Sequence, residues 1–231
     1  MLFILQYTLY WNTFVQQATL EMNIAAIRKE YKLRSLMETA VDPNPIIQFQ
    51  QWWNEAISSN IEEPNAMTLA TCGMDRKPSC RIVLLKGISN EGFVFFTNYN
   101  SRKGKELAEN PHASLLFFWK EIERQVRVEG TVTRTSEEKS DEYFFSRPPS
   151  SRIGAWSSPQ SEVISNREVL DNNVQQYEAQ FGSEIPRPPH WGGYTVKPVA
   201  IEFWQGRPSQ LHDRLLYTLD KGKWKIERLA P

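Results

Sequence analysis

Beyond Pro64 the chain is written in short apolar runs with a two-residue period, and this pattern limits what it can fold into. Residues 67–72 (MTLATC) and 79–86 (SCRIVLLK) flank a turn rich in Gly, Asp and Pro, and 92–98 (GFVFFTN) follows an SNEG turn, which predicts a meander of three strands. Residues 112–120 and 124–133 read as two more strands. Four further β-rich segments, 192–197, 199–205, 211–218 and 223–229, follow a linker marked by Pro186, Pro188 and Pro189. Helices are interposed. Asn44 and Pro45 open one that runs to about residue 57, Ser101 caps a short one ended by Pro111, Ser136 opens an acidic one, and 166–181 forms a longer polar one. A short helix is also expected over 21–34, and Arg147–Ser151 reads as a break. Many antiparallel strands at short spacing argue for an α+β architecture, a closed or nearly closed β-barrel with peripheral helices. Residues 1–20 carry no charge, make a poor targeting signal and are too often interrupted by Gln and Asn to span a membrane. We read 1–24 as a disordered or loosely packed extension, 25–189 as the barrel core with its helices, and 190–231 as a C-terminal β-rich part of the same domain. Met22 is an alternative start.

Charge then narrows the function. With 27 Lys plus Arg against 27 Asp plus Glu, the chain has no general attraction for nucleic acid or an anionic membrane, so any anion site must be local. Two cysteines, Cys72 and Cys80, show no metal-ligand spacing and read as buried free thiols of a reducing compartment. Between Arg76 and Lys105, however, seven cations face one acid, Glu91. Arg81 sits in the apolar run CRIVLL, where a cation is costly to desolvate without an anionic partner. Arg102 and Lys103 fall in the first turn of a helix, where backbone N–H groups and side-chain cations together suit a phosphate. Gln125 offers a donor and an acceptor to the edge of a heterocycle, and WQGRPSQLHDR brings Trp204, His212 and Arg214 into one strand–turn–strand unit. Together these residues point to a flat ring bearing a phosphate.

The segments RKEY, RIVLLKG, GFVFFTN, SRKGKEL, RQVRVEG, YFFSRP, SSRIGAW, SPQSEVI, WGGY, EFWQG, LHDR and the final ERLAP occur in an order that resembles the pyridoxine (pyridoxamine) 5′-phosphate oxidase family from about Arg28 to Pro231. The resemblance implies an FMN-binding split barrel, a cytoplasmic homodimer with flavin at the subunit interface, and no metal. It also implies oxidation of pyridoxine or pyridoxamine 5′-phosphate to pyridoxal 5′-phosphate by O2, releasing H2O2, and ammonia from the amine. Arg81, Ile82, Val83, Leu84, Phe96, Thr97, Arg102, Lys103, Gln125, Gln160, Ser161, Trp204 and Arg214 match FMN-contacting positions. Lys86, Tyr143, Arg147, Ser151 and His212 match substrate-holding positions, the middle three at its phosphate. The stretch Arg28, Lys29, Glu30, Tyr31 resembles a segment that folds over the substrate as a lid. His212, Arg214 and position 210 are the expected catalytic set, and there the chain departs from the family. Gln210 stands where the family usually has Arg, losing the charge and the planar guanidinium. An FMN- or pyridoxal-phosphate-binding paralogue of weakened turnover is therefore the alternative to an active oxidase.

Overall fold

The computed structural model describes residues 29–231, so the proposed extension over 1–24 and the lid residue Arg28 lie outside the described residues. Five α-helices surround one antiparallel sheet: α1 (Pro45–Ser58), α2 (Arg102–Glu109), α3 (Glu137–Ser146), α4 (Pro149–Ser157) and α5 (Glu168–Phe181). The strands are β1 (Ala66–Cys72), β2 (Pro78–Leu84), β3 (Gly87–Ser89), β4 (Gly92–Asn98), β5 (His112–Trp119), β6 (Arg124–Arg134), β7 (Trp191–Gln205), β8 (Asp213–Asp220) and β9 (Lys223–Leu229). Asn44, Ser101 and Ser136 cap α1, α2 and α3 through their side chains, as their sequence positions predict.

The sheet runs β2-β1-β5-β6-β7-β4-β3, with β8 and β9 added beside β7. Only Leu85 and Lys86 separate β2 from β3, and the Lys86 N–H donates to the Val94 carbonyl at 2.8 Å, so the two ends of the path meet and the sheet curls into a barrel. The expected three-strand meander is not formed. β1 and β2 make a hairpin, but β4 pairs with β7 and the short β3, because closing the barrel takes precedence over neighbour pairing. The expected segments 192–197 and 199–205 are one 15-residue strand. Its register shifts opposite Glu129/Gly130, where Val199 is the extra residue beside Pro198, which has no N–H to give a ladder.

Alternate residues of the barrel strands point inward, among them Leu69, Phe95, Leu115, Phe117, Val126, Val128, Ile201 and Phe203, all fully buried. Helix α1 plugs one end. Phe49 meets Phe93 and Phe117 edge-on at 4.9 and 5.0 Å between centroids, and Trp52 meets Phe203 at 5.1 Å. Three further expectations need correcting. The described part of 21–34 is not helical, and its Lys32 and Leu33 N–H groups donate to the Glu123 carboxylate instead. The break at 147–151 holds the start of α4, with Pro149 at its first position, where a missing N–H costs nothing. Cys80 is exposed because it lies on the outward face of β2, and Cys72, at the end of β1, is only half-buried.

Candidate functional site

The cations singled out in the sequence gather where β1, β2 and β4 meet the start of α2. Lys103 is 9% exposed, and its Nζ donates to Thr97 Oγ1 (3.1 Å), Ser101 Oγ (3.3 Å) and Gln160 Oε1 (2.8 Å), all neutral oxygens. Burial, with repulsion from Arg81, pushes its pKa down to about 8. A buried ammonium with no carboxylate partner among the described residues suits an incoming anion. Arg81 lies on the inner face of β2, where its guanidinium donates to Thr71 Oγ1, Ser79 Oγ and, at 3.4 Å, Glu106 Oε2. Arg102 reaches the same carboxylate one helical turn on, Nε to Oε1 at 2.8 Å. Burial raises the Glu106 pKa, but hydrogen bonds from Ser79, Thr71 and Arg102 outweigh it and bring it to about 2. A cavity of about 530 Å³ opens beside these groups, lined by Arg102, Lys105, Glu106, Gln160 and Ser161. Val83 and Leu84 are half-buried in β2, whereas Ile82 faces outward and is 64% exposed.

Thr97 leads from this cluster to an aromatic wall, since its neighbour Phe96 stacks on Tyr143 (4.1 Å) and on Trp191 (5.6 Å). Lys86 Nζ lies 5.7 Å from the Tyr143 ring, and the Arg147 guanidinium sits 4.8 Å over Trp191. Among the described residues Arg147 Nη1 is buried without a hydrogen-bond partner, an open donor in a group suited to carboxylate or phosphate. Ser151 stands in the first turn of α4, half-buried on the same segment.

The remaining residues lie elsewhere. Gln125, Trp204 and Arg214 are consecutive cross-strand partners on β6, β7 and β8, on the outward row that carries Phe118. Arg214 Nε pairs with the buried Glu202 at 2.7 Å, and Asp213 pairs instead with Arg207 and Arg228. His212 packs on Trp204 at 4.6 Å. Its Nδ1 accepts the Arg207 N–H, so Nε2 carries the proton and donates to Gln210 Oε1 at 3.1 Å. Tyr31 closes this group edge-on to Trp204 at 5.7 Å, while Lys29 and Glu30 are exposed beside it. Glu106, Glu123, Glu202 and Trp191, which organise these clusters, were not found by sequence reasoning; only the Arg102–Glu106 spacing carried a readable signal.

Trp191 and Trp204 sit at opposite ends of β7. Thirteen residues at about 3.3 Å each put roughly 40 Å of strand between them, more than a mononucleotide spans even where the barrel curves. One chain therefore holds two separate clusters, a cationic one beside Trp191 and an aromatic, hydrogen-bonding one at Trp204. Among the described residues no hydrogen bond or ring contact joins Lys103, Thr97 or Arg147 to Trp204, His212 or Arg214.

A curled antiparallel barrel carrying a cationic pocket and a separate aromatic cluster defines the class of split-barrel proteins. The family model for pyridoxamine 5′-phosphate oxidase matches residues 53–181, and that for the pyridoxine 5′-phosphate oxidase C-terminal dimerisation region matches 191–231. A pyridoxine/pyridoxamine 5′-phosphate oxidase of Paraburkholderia phymatum is 61% identical over 90% of this chain and 99% of its own length, and one of Nostoc punctiforme 58% identical over 92% and 100%. Among solved structures, PhzG from Burkholderia lata 383, in complex with tetrahydrophenazine-1-carboxylic acid, superposes with a TM-score of 0.81 at 32% identity over 87% of this chain and all of that one. The chain belongs to the pyridoxine/pyridoxamine 5′-phosphate oxidase family.

The family's cofactor is FMN, and the residues present fit it. Lys103 lacks an anion and Arg81 stands beside it, which suits the phosphate, while Gln125 and Trp204 offer hydrogen bonding and a π-face to the ring system. The family's C-terminal region is one of dimerisation, and among the described residues no helix is long and apolar enough to cross a membrane.

Proposed function

We propose that this protein oxidises pyridoxine 5′-phosphate or pyridoxamine 5′-phosphate to pyridoxal 5′-phosphate in vitamin B6 salvage, with O2 as final acceptor and H2O2, plus ammonia from the amine, as by-products. The observation that carries the reading is the pair of separate cationic centres without counter-anions, Lys103 and Arg147, one for each of two phosphate esters. Arg81, Lys103 and Gln160 anchor the cofactor phosphate, with Arg102 and Ser161 at its edge. Lys86, Tyr143, Arg147 and Ser151 hold the substrate phosphate, and the Phe96–Tyr143–Trp191 stack fixes Arg147 from behind.

Bound FMN supplies the acceptor for hydride from the substrate's C4′. The chain's own residues stack, orient and exclude water. Gln125, Trp204 and Arg214 complete the cofactor site, and His212, its proton on Nε2, faces the substrate. Because Trp191 and Trp204 stand at opposite ends of β7, each complete site takes its cationic half from one protomer and its aromatic half from the other. This arrangement supports FMN at the interface of a homodimer.

A second reading has one observation in its favour. Gln210 spends its only acceptor on His212 and brings no charge, which suits a flavin- or pyridoxal-phosphate-binding paralogue with slow turnover. An oxygen electrode separates the two. Oxygen uptake by the yellow protein with pyridoxine or pyridoxamine phosphate, and not with the unphosphorylated vitamers, is expected of the oxidase. A yellow protein without uptake is expected of the binding module and would overturn the first reading.

A further inference from the structure

Residues 29–36 cross the Trp204 half-site as a strap, and one buried side chain organises it. Glu123 follows a turn after β5 in left-handed backbone (φ 57°) and is 3% exposed. Its Oε2 accepts the backbone N–H groups of Lys32 (2.9 Å) and Leu33 (3.1 Å), and Lys29 Nζ lies 3.7 Å from Oε1. Among the described residues, every hydrogen-bond or ion-pair partner of this carboxylate comes from the strap. Undocking the strap would exchange all of these contacts for water, so the carboxylate favours the docked arrangement by whatever they are worth over hydration. Further along, Leu36 N–H donates to Asp213 Oδ2 (3.0 Å), and Arg228 Nη2 donates to the Leu36 carbonyl (2.9 Å). The docked strap sets Tyr31 against Trp204 and His212, and Gly206 makes room for it: a Cβ at 206 would stand 2.7 Å from the Tyr31 ring.

We propose that Glu123 is a positioning residue, a latch that keeps the strap docked before any substrate arrives and thereby makes Tyr31 a standing wall of the His212–Trp204 half-site. Only the naming of that half-site as substrate-binding rests on the proposed function; the docking itself does not. The barrel's own buried carboxylate, rather than the ligand, supplies the closing interaction.

The test is amide hydrogen exchange, read by NMR on the FMN-loaded, substrate-free protein. In the wild type the Lys32 and Leu33 amides should be protected. In Glu123→Ala they should exchange about tenfold faster or more, with β5 amides unchanged, and Glu123→Gln, which keeps a carbonyl acceptor, should fall between. Unprotected strap amides in the wild type, or equal protection in Glu123→Ala, overturn the proposal. Should Glu123→Ala fail to fold, Glu123→Gln decides: it should exchange the strap amides faster than wild type with β5 amides unchanged, and raise KM for pyridoxamine phosphate more than it lowers kcat, and wild-type exchange there overturns the proposal. A protein without turnover but with the expected exchange pattern would count against the proposed function and leave the latch standing.

Discussion

With Lys103 holding the cofactor phosphate, as proposed, cofactor binding becomes a titration. Burial and Arg81 hold its pKa at about 8, so near neutral pH it is charged, and above that value the free site loses its cation. A phosphate dianion placed against Nζ favours the charged form and returns the pKa at least to the ordinary lysine value of about 10.5. Bound and free states then differ in proton affinity, and FMN binding above pH 8 must take up a proton. The phosphate ester is already a dianion over this range, its second pKa being about 6. Between about pH 7 and pH 9 the apparent Kd should therefore rise about tenfold, equivalent to ~1.4 kcal/mol. Quenching of flavin fluorescence on titration into apoprotein, at constant ionic strength and several pH values, measures it. Lys103→Arg, charged throughout, should give a flat profile, and Lys103→Met a flat but weaker one. A wild-type Kd constant across this range, or the same slope in Lys103→Met, would refute the reasoning.

Gln210→Arg should raise kcat/KM for the phosphorylated substrates by about 1.5–3 kcal/mol of transition-state binding while leaving FMN affinity alone; equal values in steady-state kinetics would show that the missing guanidinium does not matter. Glu106, with a folded pKa of about 2 against an ordinary 4.5, contributes stability that is complete above about pH 4.5 and lost as pH falls toward 2. Glu106→Gln should accordingly flatten the acid limb of thermal stability measured between those values, and an unchanged limb would assign the acid sensitivity elsewhere. Phe49→Ala should cost about 3–5 kcal/mol by denaturant unfolding, since the ring is fully buried between Phe93, Phe117 and Trp119; a loss below about 1 kcal/mol would mean that α1 does not plug the barrel.

Local signals carried much of this fold into the sequence. Side-chain caps at Asn44, Ser101 and Ser136 marked helix starts because a cap is a contact of two to three residues. Period-two runs located the strands, but not the pairing of β4 with β7, nearly a hundred residues away. That pairing follows from barrel closure, which no local pattern encodes. The Val199 bulge was likewise hidden, and Pro198 read as a strand boundary where it instead marks an irregularity inside one strand. For the site, Arg81 and Lys103 were legible as cations in places where cations are expensive. Their organisers were not, the Arg102–Glu106 spacing aside, because Glu123 and Glu202 look in sequence like any solvated acid until the fold buries them. Nor could spacing reveal that Trp191 and Trp204 belong to different ends of one strand.

That strand has a genetic consequence. If each complete site draws its cationic half from one protomer and its aromatic half from the other, a chain damaged at Lys103 and a chain damaged at Trp204 are each inactive as pure homodimers. Mixed in one dimer, they assemble one site carrying both lesions and one carrying neither. Two null alleles of this protein should therefore complement when their changes lie at opposite ends of β7, and fail to complement when they share an end.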